Sequence, residues 1–138
     1  MSKILRFGVS LEKKLLEDFD RLIKGRKYRN RSEAIRDLIR KDLVKQEWQV
    51  GDIVAATITM IYDHHRPGLD HTITHLQHDY TKEILTTQHI HLDHDNCLEV
   101  VVAKGKPQRI KEIAAMFEAL KGVKHCSLSM ATTGEKIK

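Results

Sequence analysis

The sequence predicts an α+β fold in two parts, a strand-helix-helix segment over residues 1–47 and a βαββαβ segment over residues 52–138. Three observations predict it: strict apolar alternation near the N-terminus, helical apolar spacing in the two stretches that follow, and β-branched runs alternating with helical stretches from Gly51 onward.

The first element is a short half-buried strand. Leu5, Phe7, Val9 and Leu11 are apolar, and Arg6, Gly8 and Ser10 lie between them. Leu11, Leu15, Leu16, Phe19, Leu22 and Ile23 then recur at helical spacing, which predicts an amphipathic helix from about Glu12 to Lys24, ending near Gly25. A basic turn, Arg26 to Arg31, follows. Asn30 stands three residues before Glu33 as a capping box, and Ile35, Leu38, Ile39 and Leu43 carry an apolar stripe to about Val44. A short linker is expected around Gln46 to Asp52.

In the second part, the run Ile53 to Tyr62 reads as a strand and leads through Arg66-Pro67-Gly68 to a helix from about Leu69 to Lys82. ILTTQHIHL turns at Asp95-Asn96 into CLEVVVAKG, a hairpin. Pro107 opens a helix through about Lys121, Val123 to Thr132 forms a last strand, and the tail Thr133 to Lys138 is expected to fray. This element order is that of the split, ferredoxin-like βαββαβ unit.

Composition narrows the function classes. With 138 residues in two parts, each part is near the size at which a lone chain struggles to bury enough core, so oligomerisation is expected. The net charge of +5 is uneven. Residues 1–47 hold fourteen Lys or Arg and eight Asp or Glu, a net of +6, and the remainder holds ten against eleven, a net of −1. A basic arm on a near-neutral partner fits a polyanion-binding module joined to a sensing or assembly module. No stretch of about 18 apolar residues and no signal-peptide pattern is present, so a cytoplasmic location is expected. There the two cysteines, Cys97 and Cys126, read as a ligand and a core thiol rather than a disulfide.

A lone strand needs a partner, and two copies paired antiparallel make a ribbon whose outer face shows Arg6, Gly8 and Ser10. Such a ribbon fits the major groove of double-stranded DNA. Arg6 offers a fork to a guanine edge, Ser10 a flexible donor or acceptor, and Gly8 a close backbone approach. The start of the second helix, beside Arg29 and Arg31, suits a phosphate. The same residues would equally serve a strand that only caps a dimer beside a solvated basic turn.

Nine histidines are many for this length. His89 and His91 are two apart on a strand, so their rings leave one face, and Cys97 lies across the hairpin. On the helix before them Leu69, Ile73, Leu76 and Tyr80 share one face while His71, His75 and His78 lie opposite. The apolar face must cover its own sheet, so the histidines point away and can reach a metal held by a neighbouring chain. Without a metal, the alternative is solvated histidines and a buried thiol.

RFGVS, a helix and then YRNRSEAIRDLIR resemble the ribbon-helix-helix superfamily, and NRSEAIRDLIR together with the spacing H-x10-H-x-H-x5-C from His78 to Cys97 is similar to the nickel-responsive repressors called NikR. The similarity extends over nearly the whole chain. It implies an ACT-like C-terminal domain and a homotetramer built as a dimer of dimers. It also implies one Ni(II) per subunit, held by His89, His91 and Cys97 of one chain and His78 of another. Arg6, Gly8 and Ser10 take the base-reading positions, with Lys27 standing where the family often has glycine. Glu99, Gln77 and Tyr62 are implied as groups supporting the ligands, and Glu33 and Asp37 as a secondary cation site. Apart from the resemblance, His64, His65, His71, His75 and His94, with Asp63, Asp93 and Asp95 nearby, read either as donors for extra low-affinity metal sites or as a solvated surface.

The function so implied is a metal-gated repressor that binds a palindromic operator when loaded with Ni(II) and controls nickel uptake or nickel-related genes. A zinc or cobalt sensor of the same architecture is the alternative, because three imidazoles and a thiolate suit several ions. An enzyme is not expected: it would need an open coordination position and a placed base, and the ligand set is complete without either.

Overall fold

The computed structural model describes residues 3–138 and divides the chain into two compact units between Ile39 and Arg40. In the first unit, α1 (Lys13–Gly25) ends in a left-handed cap. Lys27 adopts φ 61°, and the backbone N–H of Tyr28 donates to the Ile23 carbonyl at 3.1 Å, so the last turn is closed by a residue that accepts the strain glycine would avoid. α2 (Arg31–Val50) begins as the capping box requires, with Asn30 Oδ1 accepting from the Glu33 N–H at 2.9 Å.

Two expectations are corrected here. The segment from Leu5 to Leu11 is not a strand within the single chain: residues 3–12 take no regular structure, and Leu5, Phe7 and Val9 are largely exposed. A strand is defined by hydrogen bonds to another strand, and one chain supplies none to this segment. The linker expected around Gln46 to Asp52 is helical as far as Val50. Only at Gly51, with φ 84°, does the chain turn away, its N–H donating to the Glu47 carbonyl at 3.2 Å. The helix runs on because Trp48, 5% exposed, packs against Val54, Ala56, Ala103 and Ile110, so the residues read as linker belong to the core of the second unit.

That unit contains β1 (Val54–Asp63), α3 (Leu69–Asp79), β2 (Ile84–His91), β3 (Asn96–Gly105), α4 (Pro107–Glu118) and β4 (Val123–Met130). The four strands form one antiparallel sheet in the order β2-β3-β1-β4. The α+β, βαββαβ expectation is thus met, with both helices ending a few residues earlier than their apolar periodicity suggested. Alternation decides the layers. Ile58, Met60 and Tyr62 of β1 with Cys97 and Val101 of β3 pack under Leu69 and Ile73 of α3 and Ile113 and Phe117 of α4. On the opposite face Ile61, Leu98 and Val100 are half-buried, and Ile90 on the edge strand is 40% exposed.

The C-terminal tail is not frayed. Trp48 Nε1 donates to the Ala131 carbonyl at 2.8 Å, Thr132 Oγ1 donates to the Glu47 carboxylate at 3.0 Å, Arg40 Nε reaches the Lys138 carbonyl at 2.7 Å, and Lys136 pairs with Asp52 at 3.1 Å. Polar side chains on the second half of α2 therefore tie down residues whose own composition resembles a loose end.

Candidate metal centre

The sheet register puts the candidate ligands at one end of the β2–β3 hairpin. His91 is opposite Cys97, His89 is opposite Glu99, and Tyr62 of β1 is opposite Cys97 on the other side. Because cross-strand partners leave the same face, the two imidazoles, the thiol and the carboxylate all emerge on the helix-covered face. β2 is the edge strand, so His89 and His91 are exposed while Cys97 and Glu99 are buried.

Cys97 Sγ lies 3.3 Å from His91 Nδ1. Metal–sulfur and metal–nitrogen bonds of about 2.3 and 2.0 Å place neighbouring ligand atoms about 3.1 Å apart at right angles and about 3.5 Å apart at tetrahedral angles. The pair is therefore already spaced to share one ion. The rings of His89 and His91 are 5.1 Å apart, centre to centre.

Behind these groups runs a buried hydrogen-bonded chain. Tyr62 Oη donates to Glu99 at 3.1 Å and lies 3.1 Å from His89 Nδ1, and Gln77 Nε2 of α3 donates to the other Glu99 oxygen at 3.1 Å. Since the phenol proton goes to Glu99, Nδ1–H of His89 can donate to the phenol oxygen, which leaves Nε2 unprotonated and facing out as a ligand. Burial, then the Glu99 charge, pushes the Tyr62 phenol far above its ordinary range, so it stays a donor. Burial also raises the Cys97 thiol, with Asp70 and Glu99 adding to the shift. A cation must displace that proton in order to bind.

The structure also draws in a residue that spacing alone set aside. His64, His91 and Cys97 offer ligand atoms within 4.8 Å of one another. His64 Nδ1 is buried and has no hydrogen-bond partner among the described residues. It sits in the β1–α3 loop, so only the antiparallel pairing of β1 with β3 brings it to Cys97. The sequence signal, had it been weighed, was the Tyr62-x-His64 step at the end of β1. His78, by contrast, is exposed on α3 and takes part in no group of three candidate ligands among the described residues, as do His71 and His75.

Two domain families match the chain: the NikR C terminal nickel binding domain over residues 55–131, and the ribbon-helix-helix protein, copG family, over residues 6–46. Proteins bearing the name nickel-responsive regulator match almost end to end. The one from Syntrophus aciditrophicus is 56% identical over 135 residues, covering 98% of both chains. Those from Thermococcus onnurineus and Pyrococcus furiosus are 54% and 53% identical, covering 98% and 97% of this chain and 99% and 98% of theirs. This chain belongs to the nickel-responsive regulator family. A solved structure of an uncharacterised protein from Thermotoga maritima shares the fold at a TM-score of 0.52 and 14% identity, covering 57% of this chain and 98% of that one.

In this nickel-responsive regulator the candidate DNA-reading residues Arg6, Gly8 and Ser10 are all exposed. Arg29 is exposed as well. Arg31 is engaged instead: its guanidinium makes two 2.9 Å bonds to the Asp20 carboxylate. That paired hydrogen bond holds Asp20 below, and Arg31 above, their ordinary values. The phosphate role read for Arg31 therefore competes with an ion pair inside its own unit. Of the two residues read as a cation site, Glu33 accepts the Arg29 N–H at 3.3 Å and Asp37 accepts the Tyr28 hydroxyl. Both carboxylates are thus partly committed to the turn before α2. Among the described residues no helix is long and apolar enough to cross a membrane.

Proposed function

We propose that this nickel-responsive DNA-binding regulator is a repressor whose Ni(II) is held by His89, His91 and Cys97 of one subunit and His78 of a second, one ion per subunit. Nickel would supply the Lewis acidity that fixes two chains to one point. The chain's own residues hold the site in shape: Glu99 accepts from Tyr62 and Gln77, Tyr62 fixes the His89 ring, and the β2–β3 register fixes His91 against Cys97. The observation that carries this reading is the Cys97 to His91 approach of 3.3 Å, backed by the buried Tyr62–Glu99–Gln77 chain. Support for the subunit-crossing ligand is that His78 is exposed on the side of α3 away from Leu69 and Ile73.

Assembly follows from uncovered apolar surface. In the first unit Phe7, Val9, Leu11, Leu15 and Leu38 border an apolar groove of about 900 Å³, which a second copy's ribbon and helices would fill. The half-buried face of the sheet, with Ile90 exposed, supports a second interface and hence a homotetramer with two ribbons. Each ribbon would place Arg6, Gly8 and Ser10 in one half-site of a palindromic operator in the cytoplasm. Nickel would act by favouring the arrangement that meets both half-sites. The test is nickel titration with operator binding measured in parallel. Linkage requires operator DNA to tighten nickel binding by the same factor that nickel tightens DNA binding. Equal operator affinity with and without saturating nickel would remove the sensor role.

A further inference from the structure

A second set of metal-ligating groups, sharing no residue with the first, lies in the turn at the same hairpin end. The β1–α3 loop and the β2–β3 turn meet at His65, His94 and Asp95, whose ligand atoms all lie within 4.8 Å of one another. His65 Nε2 is 3.4 Å from Asp95 Oδ1, and His94 Nδ1 is 3.1 Å from the same oxygen. The two rings are 5.2 Å apart and inclined by 34°.

We propose that His65, His94 and Asp95 form a second cation site, separate from Cys97, for a borderline divalent transition ion such as Zn(II), Ni(II) or Cu(II). Two imidazoles and one carboxylate are the donor set such ions take, and the two nitrogens discriminate against Mg(II) and Ca(II), which favour oxygen. All three side chains are exposed, so water completes the coordination. Without a thiolate this site is weaker than the Cys97 site.

Backbone bonds hold the donors together before any ion arrives. His64 N–H donates to the Asp95 carbonyl at 3.2 Å and ties one loop to the other. His65 N–H donates to Asp63 at 2.9 Å, while Asp93 accepts the N–H of Asp95 at 2.9 Å and of Asn96 at 2.8 Å. Lys124 Nζ donates to Asn96 Oδ1 at 2.6 Å and so brings a cation to the same turn. A bound ion would take the place of the hydrogen bond from His65 Nε2 to the His94 carbonyl, at 3.1 Å.

The experiment is titration of the full-length protein with Ni(II), and separately with Zn(II), counting bound metal while following the thiolate-to-metal charge-transfer band. The wild type is expected to bind two equivalents per chain, only one of which develops the band. His65→Ala with His94→Ala should lose the equivalent that does not develop it and keep the band intact, and Asp95→Asn should weaken that equivalent alone. His71→Ala with His75→Ala, which removes the other exposed imidazole pair, should lose nothing. The proposal is overturned if the His65/His94 variant binds as much metal as the wild type, or if the second equivalent disappears with His71 and His75 instead. Absence of the band in the wild type would count against the Cys97 site, and the two variant comparisons would still decide this one.

Discussion

Tyr62→Phe removes one oxygen atom and, with it, both ends of a bridge. The hydroxyl is 3.1 Å from Glu99 and 3.1 Å from His89 Nδ1, and the Tyr62 side chain is 1% exposed. Glu99 is itself only 7% exposed, so its carboxylate loses one of the two donors, Tyr62 and Gln77, in a place where water cannot easily replace it. An unsatisfied buried acceptor costs about 1–3 kcal/mol, more when charged, and the metal-free protein should lose stability in that range by urea unfolding. His89 loses the partner that fixes its tautomer and ring, and loss of such support lowers metal affinity by roughly 10–100-fold. Nickel affinity should therefore fall by that factor while the charge-transfer band from Cys97 persists. Glu99→Gln is the control, since a carboxamide oxygen still accepts from Tyr62. It should cost less stability than Tyr62→Phe. If Tyr62→Phe destabilises the apo-protein but leaves nickel affinity unchanged, the hydroxyl supports only the core and His89 does not ligate through Nε2.

Other perturbations separate the remaining parts. Arg6→Ala should lose about 1–3 kcal/mol of operator binding per half-site in a gel-shift titration, with nickel binding unchanged. Chains carrying His78→Ala, mixed with chains carrying Cys97→Ala, should regain a fraction of complete nickel sites in verified mixed tetramers; no recovery would place the site in one chain. Burial holds the Cys97 thiol above its ordinary value of 9.0, so its contribution to apo-protein stability is present below that pH and lost as pH rises past it. Nickel affinity should move the other way, rising about tenfold per pH unit wherever one thiol proton is displaced, as read by titration across pH. Deleting residues 133–138 removes the exposed Lys136–Asp52 pair and the Arg40 contact and should cost less than about 1 kcal/mol, whereas also removing residues 131 and 132 takes the Ala131 carbonyl from the Trp48 indole and the Thr132 hydroxyl from the Glu47 carboxylate and should cost about 1–3 kcal/mol more by thermal or urea unfolding.

What was legible in the sequence was whatever depends on period. The two-residue alternation of β1 and β3 and the opposed faces of α3 follow from side-chain geometry alone, and the structure reproduces them with Ile58, Met60, Cys97 and Val101 inward and His71, His75 and His78 outward. Local periodicity could not show contacts made across the chain. Trp48 reads as a linker residue until Val54 and Ile110 are seen packing on it, and the tail reads as loose until Arg40 donates to the Lys138 carbonyl and Asp52 accepts from Lys136. His64 reaches Cys97 only through strand pairing. Arg31 looks like a free cation in a basic turn because Asp20 is on the previous helix, eleven residues away. The N-terminal segment is a different case: Leu5 to Leu11 alternates as a strand does, but a ladder needs a second strand, and none pairs with it among the described residues.

Selection of nickel over zinc cannot reside in the identity of the donors, since imidazoles and a thiolate suit both ions. On the proposed ligand set it would reside in angle. The Cys97 to His91 spacing of 3.3 Å falls between the right-angle and tetrahedral values, so this edge alone admits either geometry. The constraint comes from the other donors. His91 and Cys97 are fixed by the β2–β3 register, and Tyr62 holds His89 on the same strand, so three of the proposed ligands would come from one hairpin and the fourth, His78, from a separate element. A square-planar ion needs that fourth nitrogen in the plane of the other three, and a tetrahedral ion needs it well out of that plane. If His78 of a second subunit completes the site, the placement of α3 against that subunit would differ between the two metals, and assembly would convert the choice of ion into a choice of quaternary arrangement. Zinc-loaded protein should accordingly bind the operator more weakly than nickel-loaded protein at equal site occupancy. Equal operator affinity for the two forms, with X-ray absorption showing four-coordinate planar nickel and tetrahedral zinc, would sever coordination geometry from DNA recognition.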